Sequence, residues 1–243
     1  MMLVFRGQSY VSSEHEQAGT LPLMASDTTI LLTRADEVAA LQFRVRACRL
    51  CQQHGYIPAA HPITEGRAGD RILLVGQAPG HVSIERGRPF SGPAGRVLDG
   101  WLVRAGFPPG SLHERVYLSS LTKCDPGRNP RGGGDRMPSP AEIALCRPYL
   151  DAELALLQPD VVLLLGGLAI AHFLGKARLD ETVGRAFTLD DAARPLWPGH
   201  ERAHLLPLPH SSGVSRWLND PAHQRLLDAA LAHLAGWRAG LDL

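Results

Sequence analysis

The sequence predicts an α/β fold of three layers, α/β/α, built around a four-stranded, mainly parallel central sheet. Two observations carry this. Short apolar runs such as ILLVG and VVLLL alternate along the chain with longer stretches of helical character, the pattern of strand–helix–strand units. The runs are also continuously apolar, without in–out alternation, so their strands are covered on both faces.

From Ala35, DEVAALQFRVRACRLC reads as a helix that delivers Cys48 and Cys51 near its end, with His54-Gly55 as the stop. Strands follow at residues 71–76, 116–121, 161–166 and 204–209. Between them lie helices at 94–106, Pro140–Leu157 and Gly167–Leu174, and a last helix over about 220–237 closes the domain. Residues 125–140, DPGRNPRGGGDRMPSP, lack periodicity and are dense in Gly, Pro and Arg, which makes them an exposed loop.

With 243 residues and no break in composition, residues 35–243 form one domain with one substantial core. Residues 1–34 mix Ser, Glu, Gln, Thr and Gly without periodicity and read as an irregular N-terminal extension. The apolar run before Arg6, MMLVF, is too short for a signal-peptide core, and no run approaches the roughly 18 needed to span a bilayer. A cytoplasmic monomer without membrane contact is the expectation. Lys and Arg number 25 against 24 Asp and Glu, a formal charge of +1, which excludes a uniformly basic surface. Basic residues still cluster locally, and Arg128, Arg131 and Arg136 in the long loop are placed to meet a phosphate backbone.

The four cysteines fall as Cys48-x2-Cys51, then Cys124, then Cys146. In a cytosolic chain this pattern points to metal rather than disulfides. Spacing alone leaves zinc and a [4Fe–4S] cluster both open, since four thiolates suit either.

The most informative stretch is LLVGQAPGHVSIERGRPFSGPAGRVL, in which an apolar strand ends in a Gly-Pro turn and the aromatic ring of Phe90 follows thirteen residues after Gln77. The arrangement puts a polar side chain and backbone N–H groups at a strand's carboxyl end, opposite a flat ring that clamps a planar ligand such as a base. A second strand, VYLSSL, leads into Cys124, and LPLPHSSGVSRW carries His210 at the end of a late strand.

In this order the segments resemble the uracil-DNA glycosylase superfamily, most closely its iron–sulphur branch, family 4, over roughly residues 48–237. The resemblance implies a [4Fe–4S] cluster on Cys48, Cys51, Cys124 and Cys146, with a structural role, and DNA holding uracil or another deaminated base as partner. It implies excision by hydrolysis of the N-glycosidic bond, leaving an abasic site, as in base-excision repair. Gln77 stands where family 4 has a Glu that activates water; an amide positions water without acting as an effective base. Phe90 matches the ring that stacks on the flipped base, and the backbone of Ala78, Pro79 and Gly80 lies where N–H groups meet the base's carbonyl oxygens. Ser120 replaces the Asn that pairs with the uracil edge. His210 matches the His whose hydrogen bond stabilises the departing uracil, and Val214 matches the side chain that fills the vacated stack, with Arg216 beside it. Ser211 replaces the motif's Pro, and Ser211 and Ser212 retain groups for phosphates.

The departures motivate two other readings. Gln77 suits a lesion-binding module of weak catalysis, and Ser120 suits a glycosylase for hypoxanthine or xanthine. A nucleotide-binding protein is disfavoured, because the chain lacks both G-x-G-x-x-G and G-x-x-x-x-G-K-[ST].

Overall fold

The computed structural model describes residues 32–130, 132, 134–175, 178–192, 203–213 and 216–243. In chain order its elements are α1 (Arg34–Ala47), α2 (Leu50–Gln53), β1 (Ile72–Gly76), α3 (His81–Glu85), α4 (Pro93–Arg104), α5 (Ser111–Glu114), β2 (Val116–Ser120), α6 (Pro140–Leu157), β3 (Val161–Leu165), α7 (Gly167–Leu174), α8 (Leu179–Thr182), β4 (Phe187–Thr188), β5 (His204–Leu208) and α9 (Pro221–Leu241). The extension expected over residues 1–34 lies, up to residue 31, outside the described residues.

The strands are almost wholly apolar, save Ser119, Ser120 and His204 at their ends and the short β4, because alternate side chains enter two separate cores. Ile72, Leu74, Leu118, Leu163 and Leu206 pack with Leu98 and Trp101 of α4 and with Leu227, Leu231 and Leu234 of α9. Leu73, Val75, Tyr117, Val162, Leu164 and Leu205 point the other way, against Val38 of α1, Leu150 and Leu154 of α6, and Ile170 and Phe173 of α7. A period-two chain with helices on both sides leaves no face for polar residues.

The sheet order is β2-β1-β3-β5-β4, with β2, β1, β3 and β5 parallel. The expected sheet had four strands; the structure adds a fifth, β4, antiparallel to β5 at the edge. Its two residues, one half-buried and one exposed, are too short to give an apolar run. Of the helices, α6 and α7 have the predicted bounds. Ser139 starts α6 through a capping box with Glu142 and a proline in the first turn. The single helix expected to carry Cys48 and Cys51 is broken between them. Cys48 is extended, at φ −66° and ψ 135°, so α1 stops and α2 restarts at Leu50. Among the described residues no helix is long and apolar enough to cross a membrane.

Candidate active site and cysteine cavity

Parallel register aligns the carboxyl ends of the strands along one rim: Gly76 faces Ser120, and Leu165 faces Leu208. The chain places β2 on one side of β1 and β3 on the other, which is where open α/β sheets leave a crevice. A cleft of about 800 Å³ lies at this rim. Gln77, Ala78, Pro79, Gly80, Phe90, Ser120, Arg128, His210, Ser211 and Ser212 all line it, so strands far apart in sequence deliver the expected residues to one place.

Phe90 is held by backbone. It has φ +52°, a conformation that costs a side-chain-bearing residue about 1–3 kcal/mol and persists only where the surroundings impose it. A Cβ at Gly95 would stand 1.6 Å from the Phe90 carbonyl oxygen, and one at Gly76 would stand 3.0 Å from the ring's Cζ. Two bare glycines thus let the ring settle over the end of β1. Glu65 grips Arg88, two residues upstream, through both carboxylate oxygens at 2.7–3.0 Å, fixing the loop that carries the ring. Gly95→Ala is therefore expected to push α4 off the Phe90 backbone and cost about 1–3 kcal/mol by overpacking. Thermal unfolding of the variant checks this.

His210 is half-buried, and that burial alone holds its pKa below the usual histidine value. The ring is neutral at pH 7. Its Nδ1 accepts a hydrogen bond from the Ser212 backbone N–H at 3.1 Å, and a backbone amide can only donate. The proton is consequently on Nε2, the nitrogen free to donate into the cleft. The Ser212 N–H, expected to meet a phosphate, serves the imidazole instead. Gly166, at φ +84°, closes the back of the ring, since a Cβ there would lie 3.3 Å from His210 Cδ2.

Ser120 is buried, and its hydroxyl donates to the Thr122 carbonyl at 2.8 Å. With its proton so used, the oxygen can only accept, and a ligand must offer it an N–H. Ser211 is also buried, and its Oγ has no hydrogen-bond partner among the described residues. Pro79 has no N–H and adds only apolar wall; Gln77 is half-buried at the cleft floor.

The Arg-rich loop divides its arginines. Arg128 is 72 % exposed beside the cleft, with its Nη1 3.7 Å from Asp135 Oδ1. Arg136, expected on the phosphate face, is instead committed to Glu142, at 2.8 and 2.7 Å, and to the Tyr56 carbonyl, so it ties the loop to α6. Arg131 and Val214 lie outside the described residues. Arg216 is exposed, and the neighbouring Trp217 stacks on His223 at 4.1 Å between centroids.

Cys48, Cys51, Cys124 and Cys146 line one small cavity together with Leu145 and Tyr149. Burial, then Cys146, Glu142 and Cys48, push the Cys51 thiol up to about 11; burial, then the other three cysteines, push Cys124 up to about 12. Four mutually repelling thiolates need a cationic centre among them. Yet no three His, Cys, Asp or Glu side chains among the described residues converge closely enough to hold one metal ion. Between this cavity and the cleft sits Lys123. Its N–H donates to Cys146 Sγ at 3.2 Å, and its buried Nζ donates to the Ser120 carbonyl, to Ser119 Oγ and to Glu153 Oε2 at 2.8 Å.

Sequence reasoning missed Lys123, Glu153, Glu65 and Asp135. Lys123 lies in the turn after β2, Glu65 at an isolated bridge to Leu118, Glu153 inside α6 and Asp135 in the Gly-rich loop, where no local pattern marks them.

The sequence is similar to known proteins over the part that forms this rim. A Type-4 uracil-DNA glycosylase of Thermotoga maritima is 30% identical over 187 residues, covering 76% of this chain and 87% of that protein. One from Pyrobaculum aerophilum is 31% identical over 148 residues, 59% of this chain and 70% of that protein. A third, from Archaeoglobus fulgidus, is 33% identical over 134 residues, 54% of this chain and 59% of that protein. The family model for the Uracil DNA glycosylase superfamily matches residues 63–235, a span that holds the strand rim, the cleft and two of the four cysteines, and the chain belongs to that superfamily.

Proposed function

We propose that this protein is a DNA glycosylase that flips uracil out of DNA and hydrolyses its N-glycosidic bond, leaving an abasic site. The observation that carries the reading is the neutral His210 with its Nε2–H free to donate, in one cleft with the Phe90 ring. A stacked base leaves as an anion, and a preorganised donor at its oxygen lowers the barrier without itself changing protonation state. Ser120, limited to accepting, pairs with the N3–H of uracil, whereas the N3 of cytosine offers a lone pair and is refused. The relatives' name, Type-4 uracil-DNA glycosylase, supports the same substrate.

The test is incubation with single- and double-stranded oligonucleotides holding uracil, hypoxanthine or xanthine, followed by alkali to reveal abasic sites. Uracil is the expected substrate. Hypoxanthine and xanthine also carry an N–H that an acceptor-only Ser120 can read, so faster release of either would replace uracil in this reading. Binding without release from any of the three would make the chain a lesion reader. The product is expected to be a free abasic strand, and a uracil-dependent, denaturation-resistant protein–DNA adduct on a gel would overturn this.

Arg128 supplies phosphate attraction at the cleft mouth. Arg128→Glu is expected to weaken DNA binding most at low salt and leave base preference unchanged, as measured by titration across ionic strengths.

We assign the cysteine cavity to a [4Fe–4S] cluster. Its donors are four thiols that line one cavity, and the resemblance to the iron–sulphur branch favours iron over zinc. When bound, the cluster supplies positive charge that keeps the four thiolates together; the hydrolysis needs no redox step. It would join α1 and α2, the end of β2 and α6. About four irons per chain in anaerobically purified protein are expected, and stoichiometric zinc without iron would remove this assignment.

A further inference from the structure

Resting on the glycosylase reading, we propose that Asp135 is the catalytic base that Gln77 is not. Asp135 lines the cleft with Gln77, Phe90 and His210. One oxygen, Oδ2, lies so close to Gly80 that a Cβ there would be 3.2 Å away. The other, Oδ1, is buried and has no hydrogen-bond partner among the described residues; its nearest cation is Arg128, at 3.7 Å and largely exposed. A buried, unpaired carboxylate oxygen costs free energy, and a negative charge in a groove that must accept phosphates opposes binding. Among the described residues that oxygen has only the long contact to the exposed Arg128. A reaction that builds positive charge at a sugar carbon and releases a proton uses a carboxylate that lines this cleft.

The chemistry balances as follows. Water attacks C1′ while the C1′–N1 bond breaks, and the bonding pair leaves on the uracil ring, where His210 Nε2–H hydrogen-bonds the oxygen that gains charge. The Gln77 amide oxygen accepts one hydrogen of the water and orients it. The second proton passes to the Asp135 carboxylate, which gives it up to solvent once product has left. Engagement of Arg128 by a DNA phosphate removes the cation nearest Asp135 as substrate arrives.

The experiment compares the parent, Asp135→Asn, Gln77→Glu and the double variant, all as full chains, in single-turnover excision of uracil from a single-stranded oligonucleotide. Binding to the same oligonucleotide carrying a non-hydrolysable uracil nucleotide, and thermal unfolding, are measured beside it. Asp135→Asn is expected to lose about 10²-fold or more in rate while binding is unchanged or tighter and unfolding is unmoved. Gln77→Glu is expected to raise the rate far more in the Asp135→Asn background than in the parent, because it returns a carboxylate to the water. An Asp135→Asn as fast as the parent overturns the inference. So does a rate loss matched by weaker binding or lower stability, which marks a structural residue. If the parent itself releases no base, the glycosylase reading fails instead; an active parent with an equally active Asp135→Asn removes only the role of Asp135.

Discussion

His210→Ala is expected to cut single-turnover uracil excision by about 10²–10³-fold, the usual worth of one preorganised donor, with little change in affinity for uracil DNA. The split follows from where the interaction acts. A neutral Nε2–H meets the base oxygen weakly in the ground state and strongly as charge gathers there, so its loss appears in the rate. Burial holds the imidazole's pKa down, so any loss of rate from its protonation is expected only below the usual histidine value. Stability behaves differently. The folded pKa of His210 lies below its unfolded value of about 6.5, so the unfolded chain takes up a proton that the folded one refuses. Stability is full above that value and is lost as the pH falls from it through the folded pKa. His204, also held low by burial, adds in the same direction. Equilibrium unfolding at pH 7.5 and 5.5, on parent and His210→Ala, separates the two contributions.

Cys124→Ala is expected to have the largest effect on the molecule as a whole: loss of bound iron, a large fall in thermal stability and poor recovery of soluble protein. Ligand binding and folding are one free energy where the donors come from distant segments. Here the four thiols sit on α1's end, α2, the turn after β2 and α6, and the first two segments meet the rest mainly through α1 on α6. Removing Cys124 leaves three crowded thiols, of which Cys51 and Cys146 are held above the usual thiol range, chiefly by burial. Metal analysis beside a melting curve tests this. A variant as stable and as iron-loaded as the parent would show that Cys124 is only an ordinary buried residue.

The strands, α6 and α7 were legible because burial on both faces and capping chemistry leave strong local marks, such as the Ser139–Glu142 box. The break at Cys48 was not, since a helix-compatible sequence there is overridden by the need to turn a thiol toward a shared cavity. Gln77, Phe90, Ser120 and His210 were legible through motif order, and the parallel register does the work of gathering them. The loop was only half legible. Its composition marks arginines near phosphate, but whether each faces the cleft or a carboxylate is a tertiary matter: Arg136 turned to Glu142, whereas Arg128 stayed at the mouth. Asp135 was invisible for the same reason, being one acid in a run of glycines whose meaning comes from the Gly80 backbone across the cleft.

The buried pair of Lys123 and Glu153 narrows the paths by which this sequence can drift over generations. Their side chains are 1% and 0% exposed, so losing either alone strands a charge at a cost of about 3–5 kcal/mol, a large part of a domain's whole stability. Exchanging both at once for apolar residues would be nearly neutral for stability, yet Lys123 also supports the Ser120 carbonyl. An apolar double exchange would therefore keep the fold and unsettle the Ser120 side of the cleft. On the proposed reading, lineages descended from this chain can abandon the pair only by resetting that wall of the cleft, so the pair and the specificity should be inherited together.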